Sequence, residues 1–190
     1  MKNNIGERLL FIDTETGGID PTKHTLLSIG LVVWDSTKGI LDSKEILIKS
    51  DEYIITKEAQ RINRFERDTH ELTALPPKKA IERIIDFNSN WFDLNMLVPL
   101  AGHNTQFDVS FIKTFLKENN RSYNEIFSHR IIDTYTLLRS LYYAGKITDD
   151  ISSSAQAFKY FNIKVENRHS AQGDAIATAE LFEKLLKLMV

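Results

Sequence analysis

Leu9-Leu10-Phe11-Ile12-Asp13-Thr14-Glu15-Thr16-Gly17 is the stretch from which the fold can be read. Four consecutive apolar residues run into two acids spaced two apart, and Gly17-Gly18 then breaks the pattern. A short, unbroken apolar run of this kind fits a strand buried on both faces, in the interior of a sheet. Side chains two apart on a strand share a face. If the strand continues through the acids, Asp13 and Glu15 stand side by side. Neighbouring carboxylates repel and lose hydration there, and a divalent cation is the natural compensation. The same acids can instead simply open a polar loop, and this segment alone leaves both readings standing. A strand in front and misplaced later ligands argue against an EF-hand loop.

Working outward, Leu26 to Trp34 reads as a second strand and residues 44–49 as a third, with Gly39 in the turn between them. The pattern then becomes helical. Thr56 to Asn63 is a short helix. Pro76-Pro77 opens a longer one, with Ala80, Ile81, Ile84, Ile85 and Asn88 on one stripe. Residues 96–101 form a strand. Phe107 to Asn119 is a helix with Phe107, Phe111, Ile112, Phe115 and Leu116 on one face. Residues 130–133 form the fifth strand, and Asp133 is placed to cap the next helix. A short helix covers 153–161. A last one starts near Ser170, with Ala171, Ala175, Thr178, Ala179, Phe182, Leu185, Leu186 and Met189 along one side. This order predicts an α/β fold, a mixed sheet flanked by helices. The 190 residues show no repeat or linker, so a single domain over 1–190 is expected.

Composition narrows the functional classes. There is no cysteine, which removes disulfides and thiolate zinc sites. No apolar run is long enough to span a bilayer, and Leu9 to Ile12 is too short for a signal-peptide core. No membrane partner and a cytoplasmic location are expected. The formal net charge is −2, and Lys78-Lys79 is the only adjacent basic pair. A broad footprint on duplex nucleic acid is therefore not expected. A small footprint on a strand end remains compatible, because bound cations would supply positive charge locally.

Two further segments carry acids in suggestive places. Asp108 falls in the first turn of its helix, where the helix dipole favours a carboxylate whatever its role. His103 and Asn104 precede it, in a polar loop after an apolar strand. Asp174 lies one turn into the last helix, among Ala171, Gly173, Ala175 and Ala177. Small residues there permit close helix packing, which does not account for an acid beside the packed face. His169 stands just outside that helix, next to Asn167 and Arg168.

Together, Phe11-Ile12-Asp13-Thr14-Glu15-Thr16-Gly17, His103-Asn104-Thr105-Gln106-Phe107-Asp108 and His169-Ser170-Ala171-Gln172-Gly173-Asp174 resemble the three motifs of the DnaQ-like DEDDh 3′→5′ exonucleases. That family includes the polymerase III epsilon subunit, ribonuclease T and oligoribonuclease. The segments occur in order across most of the chain, and the histidine five residues before the last acid matches the DEDDh branch. The resemblance implies a ribonuclease H-like fold with a five-stranded mixed sheet. It implies that Asp13, Glu15, Asp108 and Asp174 bind two Mg²⁺ or Mn²⁺ ions, with His169 completing the catalytic set. Oxygen donors without thiolates suit these hard ions.

In a two-metal reaction the ions lie about 3.5–4 Å apart, one activating water and the other stabilising the departing oxygen. An imidazole, with a reference pKa of about 6.5, can take the water's proton near neutral pH. The resemblance further places the terminal nucleotide against Thr14, Thr16, Gly17, Gly18 and Ile19, with Ile19 as a wedge. Asn63 falls near a substrate-facing position. Phe107 either flanks the site or joins the core with Phe111 and Phe115. The expected partners are single-stranded 3′ ends or short oligonucleotides. A polymerase-held proofreading subunit, a homodimer and a non-catalytic nucleic-acid-binding module remain alternatives, and the sequence does not choose DNA over RNA.

Overall fold

The computed structural model describes residues 7–93 and 95–189. Its sheet has five strands in the order β3-β2-β1-β4-β5. These are β1 (Arg8–Thr16), β2 (Leu26–Asp35), β3 (Gly39–Leu47), β4 (Val98–Gly102) and β5 (Phe127–Asp133). The first three pair antiparallel, and β1-β4 and β4-β5 pair parallel. The apolar run at Leu9 to Ile12 thus occupies the middle of the mixed, ribonuclease H-like sheet, as its burial pattern requires.

The helices are α1 (Lys57–Asn63), α2 (Arg67–Thr73), α3 (Pro77–Ser89), α4 (Gln106–Glu118), α5 (Thr134–Tyr143), α6 (Ser154–Tyr160) and α7 (Ala171–Leu188). Alternation along β1 and β2 divides the core. Leu10, Ile12, Ile29, Leu31 and Val33 pack with Ile81 and Ile84 of α3 and with Val109, Ile112 and Leu116 of α4. Phe11, Val32 and Trp34 pack on the other face with Ala175, Ala179 and Phe182 of α7. The Phe182 ring lies 5.4 Å from Phe11 and 5.1 Å from Trp34, so truncating it to alanine removes a contact set worth about 3–5 kcal/mol. A third cluster joins α5, α6 and α7 through Leu138, Leu141, Phe158, Leu181 and Leu185. No helix of the described residues is long and apolar enough to cross a membrane.

Local chemistry explains most boundaries. Thr56 caps α1 by accepting from Ala59 N, Pro77 opens α3, and Asp133 caps α5 by accepting from Tyr135 N and Thr136 N. Three expectations need correction. The third strand starts at Gly39 rather than 44, because its pairing with β2 continues to Asp35↔Gly39, at the turn where Gly39 adopts φ +74°. The fifth starts at Phe127 rather than 130. Helix α2 was not expected at all. Only His70 among its seven residues is buried, so it has no apolar stripe to read. It is held instead by that ring, whose Nε2 lies 3.0 Å from Ile48 O and which packs on Tyr53 and Phe65.

Candidate active site

The acids after Ile12 do not open a loop. Strand β1 runs to Thr16, pairing Asp13 with Gly30 and Glu15 with Ser28 of β2. Asp13 and Glu15 therefore share the face that Phe11 presents to α7. Gly30 lets α7 lie against that face. A Cβ there would stand 2.1 Å from Ala171 O, so only glycine admits the first turn of α7 so close to the strand. Ser170 caps α7 by accepting from Gly173 N, and Glu45 Oε1 of β3 accepts from Ala171 N at 3.0 Å and from Ser28 Oγ at 3.1 Å. These bonds set the helix so that Asp174, one turn in, meets the strand acids. Asp13, Glu15 and Asp174 each offer an oxygen within 4.8 Å of the other two.

Asp108 arrives from the opposite face. It is buried in the first turn of α4, whose approach is fixed by Asp133 Oδ2 accepting from Thr105 N at 3.0 Å. Thr14, between the two strand acids and pointing to the α4 side, donates its Oγ1 proton to Asp108 Oδ1 at 2.7 Å. Asp108 is thus joined to the cluster through Thr14 and lies outside the group of three. It still acts on Asp13: after burial itself, Asp108 is the largest influence raising the Asp13 pKa, followed by Asp174 and Glu15. Burial, with help from Asp174 and Glu45, pushes Glu15 up to about 8. Burial raises Asp108 to about 7, against the pull of the Thr14 hydrogen bond. Carboxyls that crowd one another enough to hold protons near neutral pH are what a hard divalent cation relieves. The all-oxygen donor set fits Mg²⁺ or Mn²⁺.

His169, half-buried, lines a cavity of about 290 Å³ together with Glu15, Asn63, Phe65 and Ser170. Its backbone is left-handed at φ 69°, as is that of Asn167 at φ 54°. For a histidine this conformation is uncommon and costs about 1–3 kcal/mol, so the surroundings must impose it. One constraint is the return of Ser170 N to Asn167 O at 3.0 Å. Another is Gly173, where a Cβ would meet Glu166 O at 2.4 Å, so the loop carrying His169 folds onto the first turn of α7. His103 Nδ1 lies 2.9 Å from Thr134 Oγ1, and burial lowers its pKa.

The remaining sequence candidates divide. The side chain of Thr14 is committed to Asp108, and that of Thr16 donates to Gly18 O at 2.7 Å. Gly17 is required by the chain itself: a Cβ would lie 2.1 Å from Ile54 O, and a Cβ on Gly18 would strike the His24 ring. Their close approach is therefore to the protein's own backbone and ring. Asn63 Nδ2 donates to Thr16 O at 2.8 Å, bringing the end of α1 to the end of β1 beside His169. Ile19 is 85% exposed next to this strand end, free to meet a ligand. Phe107 leans on the core, its ring 5.1 Å from Phe111. One residue at the site had no role in the sequence reading. Arg168 Nη1 donates to Asp174 Oδ1 at 2.6 Å.

The chain matches the exonuclease family RNase_T over residues 10–182. It is 29% identical over 185 residues to the DNA polymerase III PolC-type of Caldanaerobacter subterraneus subsp. tengcongensis, a match covering 96% of this chain and 12% of that one. It is 28% identical over 181 residues to ribonuclease T of Wigglesworthia glossinidia brevipalpis, covering 90% of this chain and 80% of that one. Exonuclease I of E. coli, solved in complex with a dT13 oligonucleotide, superposes with a TM-score of 0.78 at 18% identity, over 95% of this chain and 41% of that one. This chain spans less than half the length of the PolC polymerase and of exonuclease I. Matched from Leu10 to Phe182, through all three acid-bearing segments, the chain belongs to the RNase_T exonuclease family and is a hydrolytic nuclease.

Proposed function

We propose that the chain is a metal-dependent 3′→5′ exonuclease that releases nucleoside 5′-monophosphates from single-stranded ends. The observation that carries this reading is the meeting of Asp13, Glu15 and Asp174 within 4.8 Å, beside a cavity that His169 lines. Two Mg²⁺ or Mn²⁺ ions held by these acids and Asp108 would supply Lewis acidity for activating water and for charge on the departing 3′ oxygen. His169, which lines the cavity with Glu15, takes the proton of the attacking water as general base. Asp108, steadied by Thr14, completes the negative cradle from the α4 side. Ile19 and the Asn63-Thr16 junction flank the place where a terminal nucleotide sits. A strand end needs only a short grip, which suits a protein with no long basic track. The single-stranded oligonucleotide bound by exonuclease I is the kind of substrate this reading expects.

A second reading, a proofreading domain working with a polymerase, draws on the PolC match across nearly the whole chain. One assay addresses both. The purified chain is incubated with Mn²⁺ and 5′-labelled single-stranded DNA, single-stranded RNA or a dinucleotide, with Asp13→Ala in parallel. A ladder shortening from the 3′ end, absent in the variant, is the expected result. Cleavage that appears only when a polymerase is added supports the second reading. Binding without cleavage under both conditions rules out the enzyme.

A further inference from the structure

We propose that Arg168 is a positioning residue: braced against Phe158, it fixes the carboxylate of Asp174 and the backbone that carries His169. The proposal rests on the reading of Asp174 as a cation ligand. Arg168 Nη1 donates to Asp174 Oδ1 at 2.6 Å, a short, charge-assisted bond. A carboxylate has two oxygens. With Oδ1 held, Oδ2 is the oxygen left for a cation shared with Asp13 and Glu15.

The guanidinium is itself held from behind. Its carbon lies 5.4 Å from the centre of the Phe158 ring, within cation–π range. Phe158 belongs to α6 and is buried with Ala157, Ile163, Ala177 and Leu181. Arg168 thus stands between an apolar wall and the acid it holds. A positive charge that had merely drifted onto an acidic cluster would need no such wall. The same residue sits between the two left-handed positions Asn167 and His169. Anchoring its side chain therefore pins the left-handed turn that carries His169. Helix α6, which contributes no acid to the cluster, acquires a purpose as the back of this brace.

The test separates geometry from charge. Mn²⁺ is titrated calorimetrically into the parent, Arg168→Gln, Arg168→Lys, Phe158→Leu and Asp174→Asn, and Tm is measured in EDTA for each. Arg168→Gln should weaken Mn²⁺ binding by about 10–100-fold, the range for partners that orient a ligating group. It should also lower the metal-free Tm, because a cation leaves the acid cluster. Lysine supplies a point charge without the planar fork. Arg168→Lys should therefore recover the Tm but not the Mn²⁺ affinity. Phe158→Leu leaves every charge in place and should still weaken Mn²⁺ binding. Parent-like or tighter Mn²⁺ binding by Arg168→Gln overturns the proposal, as does full affinity in Arg168→Lys. Parent-like binding in Phe158→Leu removes the brace and overturns it equally. Unchanged binding in Asp174→Asn brings down the cation-site reading, and the proposal with it.

Discussion

The two faces of β1 treat their polar residues in opposite ways. Towards α7, Asp13 and Glu15 meet Asp174, an acid facing acids. Towards α4, Thr14 meets Asp108, a hydroxyl donating to an acid. Both arrangements put carboxylates into protein surroundings, and both raise their pKa values. On the α4 face a hydrogen bond offsets part of that rise. On the α7 face the Arg168 guanidinium opposes it. The α4 face meets its carboxylate with a hydroxyl donor, whereas the α7 face gathers three acids beside the guanidinium of Arg168.

The comparison can be broken first at the α7 face. His169→Ala should lower kcat by about 10²–10⁴-fold, the contribution of a general base. Mn²⁺ affinity should stay near that of the parent, because the carboxylates remain. Single-turnover rates with a parallel Mn²⁺ titration check this, and near-parent turnover would end the assignment. Gly30→Ala comes next. Its Cβ would overlap Ala171 O and push α7 off the strand, so stability should fall by about 1–3 kcal/mol in urea melts. Activity should fall with it, because Asp174 moves with the helix.

The α4 face should lose stability on the same scale, without displacing α7. Thr14→Val keeps the shape of the side chain and deletes the donor to Asp108. A buried carboxylate losing a partner costs about 1–3 kcal/mol. A variant as stable as the parent would erase the contrast between the faces.

The smallest effect is in pH. Glu15 and Asp108 have folded pKa values of about 8 and about 7, above the unfolded carboxylate values of about 4. The folded state therefore binds protons that the unfolded chain has released. In EDTA, their contribution to stability is fullest below about pH 4 and is lost as pH rises towards 8. Asp35, held down to about 2 chiefly by its bonds to Thr37, acts in the other sense, but only below that window. With Mn²⁺ present the slope should reverse, since binding displaces protons and tightens as pH rises. Parallel Tm-against-pH curves with and without Mn²⁺ test the sign.

How much of this the sequence carried varied with the kind of signal. The central strand was legible because four apolar residues in a row have few other homes. Its continuation through Asp13 and Glu15 was not, because polar residues leave no burial pattern, and only pairing with Gly30 and Ser28 settles it. Helix α2 was invisible for want of a stripe. The three acid-bearing segments were legible as residue types in order. Their grouping was not: Asp108 in a first turn reads the same whether it faces Asp13 or water. Gly17 also makes room for Ile54 O, a close approach that only the folded chain brings about. Arg168 lies in an irregular segment with no periodicity, so its partner emerges only when α6 and α7 are in place.

The acid cluster ties the first strand of the chain to its last helix. During synthesis Asp13 and Glu15 leave the ribosome well before Asp174, by an interval on the order of ten seconds at ordinary elongation rates. For that time the nascent chain carries two acids of the cluster without the third. The group cannot come together until α7 has been made and has docked over Gly30.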